Sequence, residues 1–348
     1  PYPKAIHSHL RVLSVLSLNP ELRQINDCYA RNERTYEAMA VEERPEPSYD
    51  ASQDLLAAAK QVIPLGAQTF SKSHIQFPGN SPLFVTHGEG GIVYDVDGNE
   101  YIDLVSGLCP NILGYCDPDV DEAIRRQLNR GISFSLATTL EAELAELLIK
   151  HIPCAEMVRF GKNGTDVTTA AVRLARAFTG RQLILSSGFH GWADWSVCQD
   201  QMRGLGTTPQ PTSMLRHGDL DGARDCLATE SYAAVIVEPE TDAFFLSQLR
   251  KLCDKHGTLL IFDEVITGFR FDMGGAQKLF GVTPDLACFG KAMANGMPLS
   301  AIVGRKDIMK RMEPPGNIFY SGTFFGEALS LAASIATIKK LERENVLS

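Results

Sequence analysis

Short, unbroken apolar runs recur through the second half of the chain: Leu183–Leu185, Ala233–Val237, Leu259–Phe262 and Leu286–Phe289. Each is short for a helix and lacks the alternation of a half-exposed strand. Each therefore predicts a strand covered on both faces of a parallel sheet. Stretches with helical spacing lie between them, such as Leu246–His256, which Gly257 closes. Strand, helix and strand with short connections over about 181–303 predict an α/β domain with a mostly parallel sheet. Upstream, Met157–Phe160 predicts a strand, Gly161 to Thr165 a turn, and Asp166–Phe178 an Ala-rich helix closed by Gly180. Leu140–Ile152 reads as a helix ended by Pro153, and Ala328–Leu341 as a final helix.

The first third is patterned differently. Residues 84–105 alternate between apolar and polar around Asp97-Gly98-Asn99, which predicts antiparallel strands joined by a tight turn. Asp54–Val62 predicts a short amphipathic helix stopped by Pro64 and Gly66. Residues 67–82 form a long polar loop with Phe77 as its buried member. Loops of this length are often functional, so Thr69, Ser71 and Lys72 are candidates to meet a substrate. An ordinary surface loop fits the same composition. Helical patterning covers Leu22–Met39, and the acidic, proline-bearing segment Glu42–Tyr49 reads as a linker. The chain divides into an extension over 1–50, a small α+β segment over 51–130 and a large α/β domain over 131–348.

Composition narrows the function classes. With 348 residues the chain can bury a sizeable core. A net charge of −9 argues against nucleic acid or an anionic membrane as the main partner. No apolar stretch is long enough to span a bilayer, and the patch Val12–Leu18 lacks the makings of a signal peptide. Eight scattered cysteines with no CxxC pair point to reduced thiols in a cytoplasmic protein. No metal-site, P-loop or EF-hand spacing occurs, so no metal is expected.

Candidate chemistry gathers at strand ends. The run Leu259–Phe262 stops at Asp263 and Glu264, Leu286–Phe289 leads to Gly290-Lys291, and Ala233–Val237 ends at Glu238. In open α/β sheets ligands sit beyond the carboxyl ends of strands. An acid there can keep a pyridinium nitrogen protonated, and an amine can form a Schiff base. Taken singly, an aspartate at a strand end is often a turn or cap residue, and a lysine is usually solvated. The turn before Asp166 has the geometry that binds phosphate at a helix N-terminus, yet matches no dinucleotide or NTP fingerprint. Gly188-Phe189-His190-Gly191 would let an aromatic ring approach a flat ligand, although on these residues alone a core phenylalanine beside a satisfied histidine is the favoured reading.

In combination these motifs resemble the class III, fold-type I pyridoxal-phosphate aminotransferases, from about Ile63 onward. The glutamate-1-semialdehyde aminomutase branch is the most similar. Tyr94 to Gly98, Asn163-Gly164-Thr165, Phe189-His190-Gly191, Val237-Glu238-Pro239, Phe262 to Val265, Phe289-Gly290-Lys291 and Gly322-Thr323 follow in the family's order. The resemblance implies a large domain with a seven-stranded, mostly parallel sheet flanked by helices. It implies that Lys291 forms the Schiff base with pyridoxal 5'-phosphate and moves the proton, with pyridoxamine phosphate as the cofactor's intermediate form. Asp263 would pair with the pyridinium nitrogen. Phe189 and Val265 would cover the ring, with His190 and Glu238 close by. Asn163, Gly164 and Thr165 would hold the phosphate, and Thr323 would reach a partner's phosphate in a homodimer with shared sites. Thr69 and Lys72 fall where the mutase carries Ser and Arg for its substrate.

The sequence also departs from the family. Asn163 and Asp166 stand where Ser and Glu are common, and Phe189 replaces the more frequent Tyr. The family's C-terminal domain is expected to be missing or shortened. Lys72 lacks the planar fork that suits a carboxylate, which favours an aminotransferase with an amino donor and a keto or aldehyde acceptor. The alternatives are an intramolecular aminomutase and, from another class, a non-catalytic cofactor-binding remnant. The run Lys291 to Pro298 resembles family members of polysaccharide and secondary-metabolite pathways, so a non-standard keto or aldehyde substrate is expected.

Overall fold

A computed structural model describes residues 47–197, 204–239, 242–316 and 318–347. Three strands, β1 (Val85–Glu89), β2 (Ile92–Asp95) and β3 (Glu100–Ile102), make a small antiparallel sheet. Seven more make the central sheet: β4 (Met157–Gly161), β5 (Leu183–Ser187), β6 (Thr212–Met214), β7 (Tyr232–Val237), β8 (Leu259–Glu264), β9 (Leu286–Phe289) and β10 (Ser300–Gly304). Their order is β4-β10-β9-β8-β7-β5-β6. Only β10 runs antiparallel to its neighbours; the remaining pairings are parallel.

The unbroken apolar runs have a direct cause. Every residue of β7, β8, β9 and β10 is buried, with helices on both faces. Side chains alternate between the two faces. Val235, Leu260, Phe262, Ala287 and Phe289 pack with α3 (Thr139–His151), α6 (Ala243–His256) and α7 (Ala328–Glu344). Ile184, Ile236, Ile261, Cys288 and Ile302 pack with α4 (Gly164–Thr179). The other helices of use below are α1 (Asp50–Ala59), α2 (Pro118–Leu128) and α5 (Leu220–Thr229).

This topology defines one functional edge. Strands β5, β7, β8 and β9 are parallel and end together. Since β10 is antiparallel to both β9 and β4, β4 also ends at that edge. There Gly161 pairs with Ser300, and Phe289 pairs with Ala301.

Several boundaries differ from the sequence reading, for tertiary reasons. α1 starts at Asp50 rather than Asp54, because the amides of Ala51 and Ser52 donate to the carboxylate of Asp97 at 2.7 and 3.0 Å. That cap comes from far along the chain and leaves no local signal. α4 begins at Gly164, where Asn163 and Asp166 form a reciprocal capping box, so Gly164 and Thr165 are helical rather than part of the turn. β8 continues through Asp263 and Glu264, which pair with Cys288 and Phe289. Residues 67–82 hold 3-10 turns at Phe70–Lys72 and His74–Gln76, and Phe77 is 43% exposed rather than buried. The helix expected over Leu22–Met39 lies outside the described residues.

Candidate active site

The site is assembled from loops at that one edge. The turn after β4 leads into α4, whose first amides, Gly164 and Thr165, have no intrahelical partner by position. They carry the positive end of the helix dipole. Asn163 is exposed at the cap, and its carbonyl accepts the Ser300 hydroxyl at 2.8 Å. Two close approaches shape this corner. A Cβ on Gly164 would meet both Val265 methyls at 3.4 Å, and one on Gly191 (φ +103°) would lie 2.1 Å from the Thr165 hydroxyl. The amide of Trp192 donates to that hydroxyl at 3.3 Å. The segment after β5 therefore lies directly across the start of α4.

That segment carries Phe189 and His190. The Phe189 amide donates to Glu238 Oε2 at 2.9 Å, and a Cβ on Gly188 (φ +108°) would lie 2.2 Å from the same oxygen. Glu238, just past β7, thus clamps the aromatic turn. Phe189 is 58% exposed, so it is not a core residue. His190 is buried, with Nδ1 2.8 Å from Asp263 Oδ2 and Nε2 3.1 Å from the Ser187 carbonyl. Both neighbours are acceptors, so the ring serves both only with a proton on each nitrogen. Thr168 of α4 donates to the His190 carbonyl at 2.8 Å, which links this pair to the start of the helix. Asp263 is buried, and its other oxygen accepts the Val265 amide at 3.2 Å.

The adjacent carboxylate is held differently. Glu264 is fully buried and, among the described residues, has no ion-pair partner; it accepts Thr267, Ala276 and Gln277 donors. Burial pushes its carboxyl up, against the hydrogen bonds that pull it down. Thus the chain places two buried acids side by side, and only Asp263 lies against His190.

Lys291 follows β9, one strand from Asp263. Its backbone is left-handed, at φ 42°, a costly conformation for a side chain of this size. It is half-buried, and among the described residues its amine makes no hydrogen bond or ion pair. Thr69 and Lys72 stand exposed on the 67–82 loop, and no hydrogen bond among the described residues ties them to the strand-end cluster. Thr323 is also exposed, on the 318–327 loop. Sequence reasoning missed Lys162 and Glu327, which form a partly buried ion pair behind the phosphate-type turn. Nothing local marks them, since their meeting depends on two elements far apart in the chain. A cavity of about 330 Å³ lies apart from the cluster, lined by Asp103, Ser106, Asn111 and Tyr115 among others.

Comparison with known proteins identifies the arrangement. The model of the aminotransferase class-III family matches residues 76–348. The chain belongs to that family. Among curated relatives, the 3-aminobutyryl-CoA aminotransferase of Cloacimonas acidaminovorans (strain Evry) is 39% identical over 312 residues, covering 85% of this chain and 74% of the relative. The glutamate-1-semialdehyde 2,1-aminomutase of Syntrophobacter fumaroxidans is also 39% identical, over 321 residues with the same coverage. A transaminase solved with PLP bound superposes with a TM-score of 0.77 at 29% identity, covering 84% of this chain and 74% of that one.

This class III chain is a pyridoxal-phosphate-dependent aminotransferase with the fold-type I architecture. Its residues fit the cofactor. Gly164 and Gly191 keep the helix start open where a Cβ would press on Val265 or Thr165, the helix offers unpaired amides, and Asp263 offers a buried charge. Among the described residues no helix is long and apolar enough to cross a membrane.

Proposed function

We propose that Lys291 anchors the cofactor and moves the proton during amino transfer, with Asp263 holding the cofactor's ring nitrogen. The supporting observation is the pairing of two neighbouring strand ends. A buried aspartate fixed by His190 lies on β8, and a lysine whose amine is uncommitted follows β9. When bound, pyridoxal phosphate supplies an electron sink that lets a C–H bond beside nitrogen release its proton. In this reading a buried Asp263 faces a protonated ring nitrogen, which offsets the cost of its burial. The amides of Gly164 and Thr165, with Asn163 at the cap, receive the phosphate. Phe189 and Val265 cover the two ring faces, and Glu238 fixes Phe189 through its amide.

Thr323 is exposed on its loop, and we assign it to the phosphate of a second copy in a homodimer. Sedimentation showing a monomer that binds the cofactor tightly would contradict this. We assign the reaction to the cytoplasm, a reading that the six described cysteines, all free, support.

The substrate reading rests on Thr69 and Lys72 at the loop before the small sheet. An amino donor gives its nitrogen, and a ketone or aldehyde receives it. One relative's name points to an amino group on an acyl-CoA, and the other's to an intramolecular mutase at the same identity. That equality keeps the aminomutase as a second reading. Donor dependence separates them. The visible spectrum of the purified holoprotein should bleach on addition of an amino donor and recover with a keto or aldehyde acceptor. Turnover of a single amino-aldehyde with no donor present would favour the mutase. A protein that stays colourless with pyridoxal phosphate would defeat both.

A further inference from the structure

Lys162 stands between Gly161, which ends β4, and the turn Asn163-Gly164-Thr165. Its ammonium pairs with Glu327 Oε1 and donates to Ser330 Oγ at 3.1 Å and to the Pro298 carbonyl at 3.0 Å. Those bonds use every N–H the group has, so it has none left for a phosphate. Its side chain is 15% exposed, and that of Glu327 is 8%. At its other end, the Lys162 amide donates to Asp166 Oδ2 at 2.9 Å, inside the cap of α4. Glu327 is itself the cap of α7, accepting the Leu329 and Ser330 amides at 2.8 and 3.0 Å. The pair therefore joins the caps of two helices.

Stability alone is a poor reason for such a pair, because desolvation offsets most of the attraction between buried charges. What it achieves is placement. Glu327 closes the 318–327 loop, and that loop is tied to the elements of the turn at two further points. Arg159 of β4 donates to the Tyr320 carbonyl at 3.0 Å, and Arg173 of α4 donates to the Phe319 carbonyl at 2.9 Å. We propose that Lys162 is a positioning residue for the cofactor phosphate. Through Glu327 it sets the Asn163-Gly164-Thr165 turn and the Thr323 loop against each other, without touching the phosphate. This rests on the phosphate reading of both segments given above.

The test compares two ligands on the full-length apoprotein: pyridoxal phosphate and pyridoxal, which lacks the phosphate. Lys162→Met keeps the length of the side chain and removes the charge. It is expected to weaken pyridoxal phosphate roughly tenfold or more, the scale of one misplaced hydrogen bond to a charged group. Pyridoxal affinity should stay within about twofold in the same variant. Glu327→Gln keeps an oxygen for the α7 amides and should reproduce the pattern, which provides a second route if Lys162→Met fails to fold. Lys162→Arg should recover part of the loss. Unchanged pyridoxal phosphate affinity in a folded variant would overturn the proposal, as would equal weakening of both ligands, since a general structural role would affect both. A parent protein that binds neither ligand would overturn the cofactor reading itself, and this proposal with it.

Discussion

The tripeptide Phe-Gly-Lys occurs at two strand ends, Phe160-Gly161-Lys162 after β4 and Phe289-Gly290-Lys291 after β9, and the two lysines meet opposite fates. Lys162 is spent on Glu327, Ser330 and Pro298. Lys291 has a left-handed backbone and, among the described residues, an amine without an acceptor. The glycines differ in the opposite sense. A Cβ on Gly161 would lie 2.5 Å from the Tyr320 hydroxyl and 2.9 Å from that of Ser300, whereas one on Gly290 would meet nothing closer than 3.5 Å. Whether such a lysine is committed to partners therefore does not follow from the local sequence. It follows from whether the neighbouring elements supply acceptors. Of the two glycines, the one before the committed lysine is the more tightly packed.

The largest expected effect separates the two lysines by function. Lys291→Ala should abolish the visible band of the holoprotein and lower turnover by on the order of 10³-fold or more, the loss of a proton-transfer group. Lys162→Ala should keep the band at saturating cofactor. Next comes Asp263→Asn, which keeps the shape of the pair with His190 and removes the charge. It should lower turnover by on the order of 10²-fold, about 2.7 kcal/mol of barrier, while the protein still takes up the cofactor.

For stability the ranking inverts. Lys162→Met leaves Glu327 buried beside no cation, and it should destabilise the fold by about 3 kcal/mol in urea titration. Adding Glu327→Gln should return part of that loss. Lys291→Ala should cost far less, because it removes no partner. Gly161→Ala should destabilise by about 1–3 kcal/mol through overpacking, while Gly290→Ala should stay within about 1 kcal/mol of the parent. Equal costs for the two glycine variants would break the contrast.

The smallest effect is in acid. Burial pushes the Glu327 carboxyl up, but hydrogen bonds from Lys162 and Ser330 and the Lys162 charge outweigh it and hold the group below its ordinary value. A carboxylate depressed in the fold contributes stability above the unfolded value, about 4.3, and that contribution fades as pH falls through the folded value. Urea midpoints of the parent and Lys162→Met should therefore converge below about pH 4. A gap that stays constant into acid would detach the stability of this corner from the Glu327 charge.

Much of the central sheet was legible because burial on both faces leaves a plain mark, an apolar run without alternation. Asp263, Glu238 and Lys291 were legible as strand-end residues for the same reason. The segments Asn163-Gly164-Thr165 and Phe189-His190-Gly191 were legible mainly as a family pattern. What stayed hidden depends on long-range partners. The carboxylate of Asp97 capping α1, the contact of His190 with Asp263, and the Lys162–Glu327 pair all join residues far apart in the chain. Phe189 taken alone reads as a core residue, and its exposure argues against that. Phe77 failed in the other direction, because an aromatic residue in a polar loop carries no sign of what covers it.

The most direct test asks which of the two Phe-Gly-Lys lysines holds the cofactor. Holoprotein is reduced with borohydride, digested, and mapped by peptide mass. The expected result is a pyridoxyl-phosphate mass increment on the peptide containing Lys291, with the Lys162 peptide unmodified. An increment on Lys162, or on neither lysine in protein that shows the visible band, would contradict the division of roles drawn between them.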